Sequence, residues 1–356
     1  MYRSLEGIWY SISGFRLESR EAGITMTIVD ELKAKYSSYS PNLVDTKVKE
    51  WQFQHPGEDL EGLRALLTSQ PLPGGSSRNL EIKSCFECNE KCIHCFNSEA
   101  ERKIKMPELE EIYRQIDTMT IEDTVIVQGG EPTMRNDLVE VLKYIKEKGK
   151  QVSLNTNGLR LYNEKYLEEI IPYVDRLILP IHSSHYNVFD SITQVKGSAE
   201  KVMTVFKKLL QIENLMVVTQ TVINQLNYKT LLDTFDTIQN IAPSITMMLT
   251  FPIPIGFAYS SDVTPKYSEI KDYIQPALRK YGHSIYSYDI PRCYLYPYQD
   301  AVTNCDDYRC GCYIEENKRI KASSCKDCIF TKECAGVWRE YGALYPDLDL
   351  APVLAY

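Results

Sequence analysis

Cys88-Asn89-Glu90-Lys91-Cys92-Ile93-His94-Cys95 sets three thiols in a CxxxCxxC spacing, a short way past a strand expected at 80–83. Thiolates so spaced on one loop can converge on one metal assembly, and cysteine sulfur is what holds iron–sulfur clusters. On a four-iron cubane, three protein sulfurs leave one iron open to a ligand from outside. Two blander readings stand beside this one. Zinc knuckles use CxxC pairs with a fourth Cys or His, and His94 or Cys85 could complete such a set. Alternatively, the three are buried free thiols.

The remaining cysteines sharpen the picture. There are 11 in 356 residues: four between 85 and 95, seven between 293 and 334, and none between those groups. The N-terminus, Met1-Tyr2-Arg3-Ser4-Leu5-Glu6, lacks the apolar core of a signal peptide. No apolar run reaches the roughly 20 residues needed to span a bilayer. The expectation is therefore a cytoplasmic protein with no membrane partner, in a compartment that keeps thiols reduced. Two separate thiol groups then point to two metal regions rather than to disulfides. A net charge of −8 argues against a general nucleic-acid binder. With 44% hydrophobic residues the chain can bury a full-sized core.

From about 80 to 250 the sequence alternates apolar β-type runs with amphipathic helical ones. Strands are expected at 80–83, 124–127, 151–154, 176–181, 216–221 and 245–249. Pro107 opens a helix with Leu109, Ile112, Ile116 and Met119 on one face. Asn136 caps the next, which buries Leu138, Val141, Leu142 and Ile145 and stops at Gly149. Ser198 caps another, carrying Val202, Val205, Phe206, Leu209 and Leu210. Six β–α repeats predict an α/β fold with a parallel sheet and helices outside it. In such sheets ligands gather at the C-terminal strand ends.

Those ends are polar. The second strand ends in Gly129-Gly130-Glu131-Pro132, where glycines let backbone approach a ligand closely; the same four residues also make a good turn. The third ends in Asn155-Thr156-Asn157-Gly158, which is equally an Asx-capped turn. The fourth ends in His182-Ser183-Ser184-His185, the fifth near Val222-Ile223-Asn224.

The three-cysteine loop, followed one strand later by Gly-Gly-Glu-Pro, resembles the radical S-adenosylmethionine (radical SAM) enzymes. The resemblance covers about 80–250 and implies an open (βα)6 partial TIM barrel. It implies a [4Fe–4S] cluster on Cys88, Cys92 and Cys95, with SAM on the open iron. It further implies that Gly129, Gly130, Glu131 and Pro132 hold the SAM amino group. Ser183 would meet the ribose, Asn224 would lie by the adenine contacts, His94 would sit near the adenine, and Asn157 would join them at the rim. One-electron reduction of the cluster would yield a 5′-deoxyadenosyl radical.

The second thiol group holds Cys293, Cys305, Cys310, Cys312, Cys325, Cys328 and Cys334. Cys325-Lys-Asp-Cys328-Ile-Phe-Thr-Lys-Glu-Cys334 resembles the C-terminal SPASM and twitch extensions of that family, which carry auxiliary iron–sulfur clusters. A full SPASM pattern has a further cysteine four residues on, where this chain has Trp338. One auxiliary [4Fe–4S] cluster is expected on Cys293, Cys325, Cys328 and Cys334. Cys310 and Cys312, with Cys305, are ligands of a second or spare thiols. A zinc ribbon is the competing reading.

The expected organisation is an N-terminal α+β cap or peptide-recognition region over 1–78, the barrel over 79–258 and a Cys-rich, mostly irregular region over 259–356. Within the first, a strand is expected at 10–15, helices at 24–36 and 58–67, and a linker at 71–77. A further helix is expected at 266–280. Relatives with such extensions modify peptides or proteins, so the resemblance implies a peptide or protein substrate, possibly a precursor peptide. It also implies a flavodoxin- or ferredoxin-type reductant. Small-molecule or cofactor biosynthesis is the alternative, and a non-catalytic zinc-bound adaptor is a third. The 25 tyrosines, including Tyr294, Tyr296 and Tyr298, read as packing around a metal-stapled region more readily than as a peptide groove.

Overall fold

The computed structural model describes residues 79–118, 124–243, 245–300, 302–304 and 318–354. The elements expected within 1–78, together with Met119, Cys305, Cys310 and Cys312, lie outside the described residues.

Eight parallel strands pair strictly in chain order. They are β1 (Asn79–Cys85), β2 (Thr124–Gly129), β3 (Gln151–Asn155), β4 (Arg176–Pro180), β5 (Met216–Val222), β6 (Met247–Thr250), β7 (Ile285–Tyr288) and β8 (Thr303–Asn304). The first six lie within two residues of their expected bounds. No pairing joins β1 to β8, so the sheet is an open partial barrel. The alternation was expected to stop near Gly256. It continues instead: a helix over Tyr267–Tyr281 crosses over, and Met247 to Thr250 pair with Ile285 to Tyr288.

The pleat gives the sheet two unlike faces. In β1, Ile82 and Ser84 are buried while Glu81 and Lys83 are exposed on the other side. Ile82, Val125, Val127, Val152, Leu154, Leu177, Leu179 and Leu249 belong to one continuous core under the helices. Ile178 and Val218 are buried as well but stand outside that core, on the concave face.

The helices are α1 (Leu109–Asp117), α2 (Leu138–Glu147), α3 (Glu164–Ile170), α4 (Tyr186–Thr193), α5 (Ser198–Leu209), α6 (Leu231–Ile241), α7 (Tyr267–Tyr281), α8 (Arg292–Leu295) and α9 (Arg339–Leu344). Leu138, Val141, Leu142 and Ile145 all bury, as their spacing demands. Each contributes about 1.5–3 kcal/mol relative to exposure. The N-cap of α2 is Asp137 rather than Asn136. Its carboxylate does not cap the helix, because Arg135 grips both oxygens at 2.8 Å. Gly197 rather than Ser198 caps α5, since the Ser198 hydroxyl donates to Asp190 at 2.9 Å.

A stack of buried rings ties the end of β6 to the last residues. Phe251 lies 4.1 Å from Tyr267, which lies 4.6 Å from Tyr341 and 5.3 Å from Tyr294. Tyr345 packs on Tyr341 at 5.0 Å. These tyrosines are core. The hairpin of β9 (Arg319–Ile320) and β10 (Val337–Trp338) carries the rest of the C-terminal region.

Candidate active site

The loop after β1 is held by α4, by the segment beyond β6, by Arg102 and by the end of β2. Lys91 and Ile93 donate their amides to Thr193 and Ile192, at the end of α4, at 3.0 and 2.9 Å. Phe257, beyond β6, donates to the Cys95 carbonyl at 3.0 Å. Arg102 donates to the Glu90 carbonyl at 2.6 Å. From β2, Gly130 donates to the Cys85 carbonyl at 2.7 Å and Glu131 to that of Glu87 at 2.8 Å.

That close approach explains the glycines. A Cβ on Gly129, at φ +150°, would stand 2.0 Å from the Cys85 carbonyl oxygen; one on Gly130 would stand 2.2 Å from that of Glu87. Backbone cannot yield by that much, so both positions need hydrogen as a side chain.

Cys88, Cys92 and Cys95 sit together on this loop, and Cys92 feels the charges of the other two. Burial pushes the Cys88 thiol up to about 12 and Cys92 well above its ordinary value. The Cys92 thiol donates to the Glu90 carboxylate at 3.1 Å. Burial in turn raises Glu90 to about 8. Cys88 and Cys92, reluctant to ionise alone, suit a cationic metal assembly, which deprotonates its ligands. Among the described residues no three of His, Cys, Asp and Glu gather about a single ion. Sulfurs on a cubane bind different irons and need not do so.

Glu131 is buried, and its carboxylate faces inward. One oxygen accepts from the Thr133 amide at 2.9 Å and from the Thr133 and Thr156 hydroxyls at 2.6 Å each. The other accepts from the Asn157 amide at 2.7 Å. Burial raises its pKa, and these bonds draw it back. The carboxylate thus couples the loops after β2 and β3. Pro132 follows in a short 3-10 turn. Asn157 reaches the thiol loop, donating to Asn89 at 2.6 Å and lying 3.9 Å from the Cys88 sulfur.

His94 and His182 meet edge to face at 4.5 Å. His94 Nδ1 is buried without a hydrogen-bond partner, and burial lowers its pKa to about 4. Ser183 is fully buried, and its hydroxyl accepts from the His185 amide at 3.1 Å. Asn224 is fully buried too, donating to the Val222 carbonyl at 3.1 Å and accepting from the Leu226 amide at 3.0 Å. Gly129, Gly130, Glu131 and Asn157 therefore gather at the thiol loop, whereas the polar groups of Ser183 and Asn224 are taken up within their own loops. Asn89, Glu90, Arg102 and His182 carry no role of their own in the sequence reading. An acid lying between two thiols was the available signal for Glu90.

Cys293, Cys325, Cys328 and Cys334 line one pocket with Pro291, Phe330 and Leu350. Burial first, then the neighbouring thiols, pushes Cys293 up to about 12. Cys293 comes from α8, directly after β7, and the other three come from the loop between β9 and β10. Trp338, at the position of the absent cysteine, donates to Asp289 at 2.5 Å and stacks under Arg319 at 4.1 Å. Four soft donors lining one pocket without closing on a single ion suit a cubane, whose irons each take one sulfur, better than a tetrahedral zinc.

The described strands form an open parallel α/β barrel with a three-thiol loop at its C-terminal rim. Residues 82–238 match the radical SAM superfamily, and the chain carries a radical SAM domain. A probable GTP 3′,8-cyclase of Pyrococcus abyssi is 33% identical over 136 residues, 36% of this chain and 44% of that protein. A putative glycyl-radical enzyme activating enzyme of Methanocaldococcus jannaschii is 28% identical over 132 residues, 36% and 52% of the two chains. The chain spans about half the length of these curated relatives. The solved structure of native anSMEcpe with bound AdoMet and Kp18Cys peptide superposes with a TM-score of 0.50 at 13% identity, over 76% of this chain and 95% of that one. That likeness is one of fold. No helix among the described residues is long and apolar enough to cross a membrane.

Proposed function

We propose that this chain is a radical SAM enzyme that modifies a peptide or protein substrate. The observation that carries the first part is the seating of the Gly129-Gly130-Glu131 backbone on Cys85–Glu87, at the entry to the three-thiol loop, with the Gly130 amide 2.7 Å from the Cys85 carbonyl and the Glu131 amide 2.8 Å from that of Glu87. Cys88, Cys92 and Cys95 would hold a [4Fe–4S] cluster. When bound, it supplies the electron that splits SAM into methionine and a 5′-deoxyadenosyl radical. Gly129 and Gly130 would let the SAM amino acid moiety approach along the backbone, with Pro132 stiffening the turn. Glu131 would keep the two loops in register from below, and Asn157 would orient the thiol loop. His94, Ser183 and Asn224 would border the nucleoside. Cys293, Cys325, Cys328 and Cys334 would hold one auxiliary cluster that takes up the electron left after bond formation. A flavodoxin- or ferredoxin-type protein would be the reductant.

The peptide reading is supported by the C-terminal thiol set and by the peptide bound in the anSMEcpe structure. The small-molecule reading has its support in the GTP 3′,8-cyclase similarity.

The test begins with anaerobic protein. It should contain about eight irons, four per cubane, and release 5′-deoxyadenosine with SAM and dithionite. Cys92→Ala should abolish release and keep about four irons. Unaltered release from Cys92→Ala sinks the ligand assignment. Deuterium passing from a labelled peptide into 5′-deoxyadenosine, and not from a labelled nucleotide, supports the substrate class.

A further inference from the structure

We propose that the concave face of the sheet holds an acidic side chain of the substrate, seated by Arg176. This rests on the peptide reading above and names the residue type that it would take.

Arg176 opens β4 and pairs with Ser153 of β3 and Met216 of β5. Its Nε donates to the Ser153 hydroxyl at 2.9 Å, which fixes the guanidinium on the side away from the helical core. Among the described residues no carboxylate pairs with it; the residue is half-buried, and its two terminal nitrogens are not among the fully enclosed atoms left without a partner. Burial draws its pKa below the ordinary value, and Tyr288 at the end of β7 lies near enough to act on its charge. A charge this far withdrawn from water, with unfilled donors, is costly unless a partner arrives. Its planar fork matches a carboxylate.

The neighbours complete the recognition. On the same face Gln128 donates to Glu81 at 2.9 Å and Asn155 donates to Gln128 at 3.4 Å. Glu81, on β1, is thereby engaged through Gln128 and stands three strands away from Arg176. Asn155 keeps its carbonyl oxygen buried with no partner, an acceptor waiting for an N–H. Asn155 stands two residues above Ser153 on β3, about 7 Å up the face from Arg176. A carboxylate with an amide N–H at that remove is what an acidic residue in a peptide presents. Arg176 itself lies four residues, about 13 Å, below the tip of β4. It would therefore grip an acidic residue that lies inside the barrel, apart from the carbon that reacts at the thiol rim.

The test is equilibrium binding to the full chain as purified, without SAM or reductant, by saturation-transfer NMR. The probes are N-acetyl-glutamate N-methylamide and its glutamine counterpart. The glutamate probe should bind at least about tenfold tighter, the scale of one charge-assisted pair. Arg176→Lys should keep part of that preference and Arg176→Met should erase it. Equal binding of the two probes by the wild-type chain overturns the proposal, as does absence of binding by either. So does a preference that survives in a folded Arg176→Met. Because no radical chemistry is read, loss of 5′-deoxyadenosine release would count against the enzyme reading alone.

Discussion

Glu131→Gln separates two jobs for the acid of the Gly-Gly-Glu-Pro turn: ligand acceptor or internal brace. In the structure one oxygen has three donors and the other has the Asn157 amide at 2.7 Å. A glutamine can present its carbonyl to the three donors, but its NH2 then faces the Asn157 N–H. Two donors meet and one buried amide loses its acceptor, which costs about 1–3 kcal/mol. The remaining three bonds pass from charge-assisted to neutral and weaken. Burial raises the Glu131 pKa, so removing the charge returns part of the loss. The net expectation is about 2 kcal/mol, a fall in Tm of roughly 4–8 °C for a unit of this size. Thermal unfolding followed by circular dichroism, with no SAM present, reads it. An unchanged Tm with a raised SAM dissociation constant would refute the brace, because the carboxylate would then face the ligand.

Gly130→Ala pushes a Cβ to 2.2 Å from the Glu87 oxygen and should displace the thiol loop, lowering iron by about four atoms per chain. Cys293→Ala should also remove about four irons, yet leave 5′-deoxyadenosine release with dithionite intact; unchanged iron would place the fourth ligand elsewhere. Glu90 has a folded pKa of about 8, above its unfolded 4.5. The stability linked to it is therefore full below pH 4.5 and is lost as pH rises toward 8. Metal-free Glu90→Gln should accordingly be a few kcal/mol more stable than wild type at pH 8.5 and similar at pH 4.5; parallel denaturation profiles at both would contradict it.

The barrel was legible because its strands are runs of β-branched and apolar residues and its helices repeat their apolar positions at 3.6. Ile285-Tyr-Ser-Tyr288 escaped notice as β7, being four residues long with polar hydroxyls, and α4 escaped because Tyr186–Thr193 has few apolar positions. The thiols could be counted and their spacing read, and Cys293 lines one pocket with Cys325, Cys328 and Cys334. What the letters could not supply was direction. Nothing in Glu131, Ser183 or Asn224 says whether the polar end turns outward to a ligand or inward to its own loop. Packing sets that, through Thr133, Thr156 and Asn157 in one case and His185 and Leu226 in the others.

The ring stack around Tyr267 has a consequence for anyone dissecting this protein. Phe251 belongs to the barrel, yet its cover comes from Tyr267, and theirs from Tyr341 and Tyr345 near the far end. A fragment stopped after Ala258 would leave a greasy scar where those aromatics dock, on the very strand that supports the loop to Phe257 and Cys95. The segment that holds Tyr341 and Tyr345 completes that cover, so a version shortened ahead of it would be expected to aggregate.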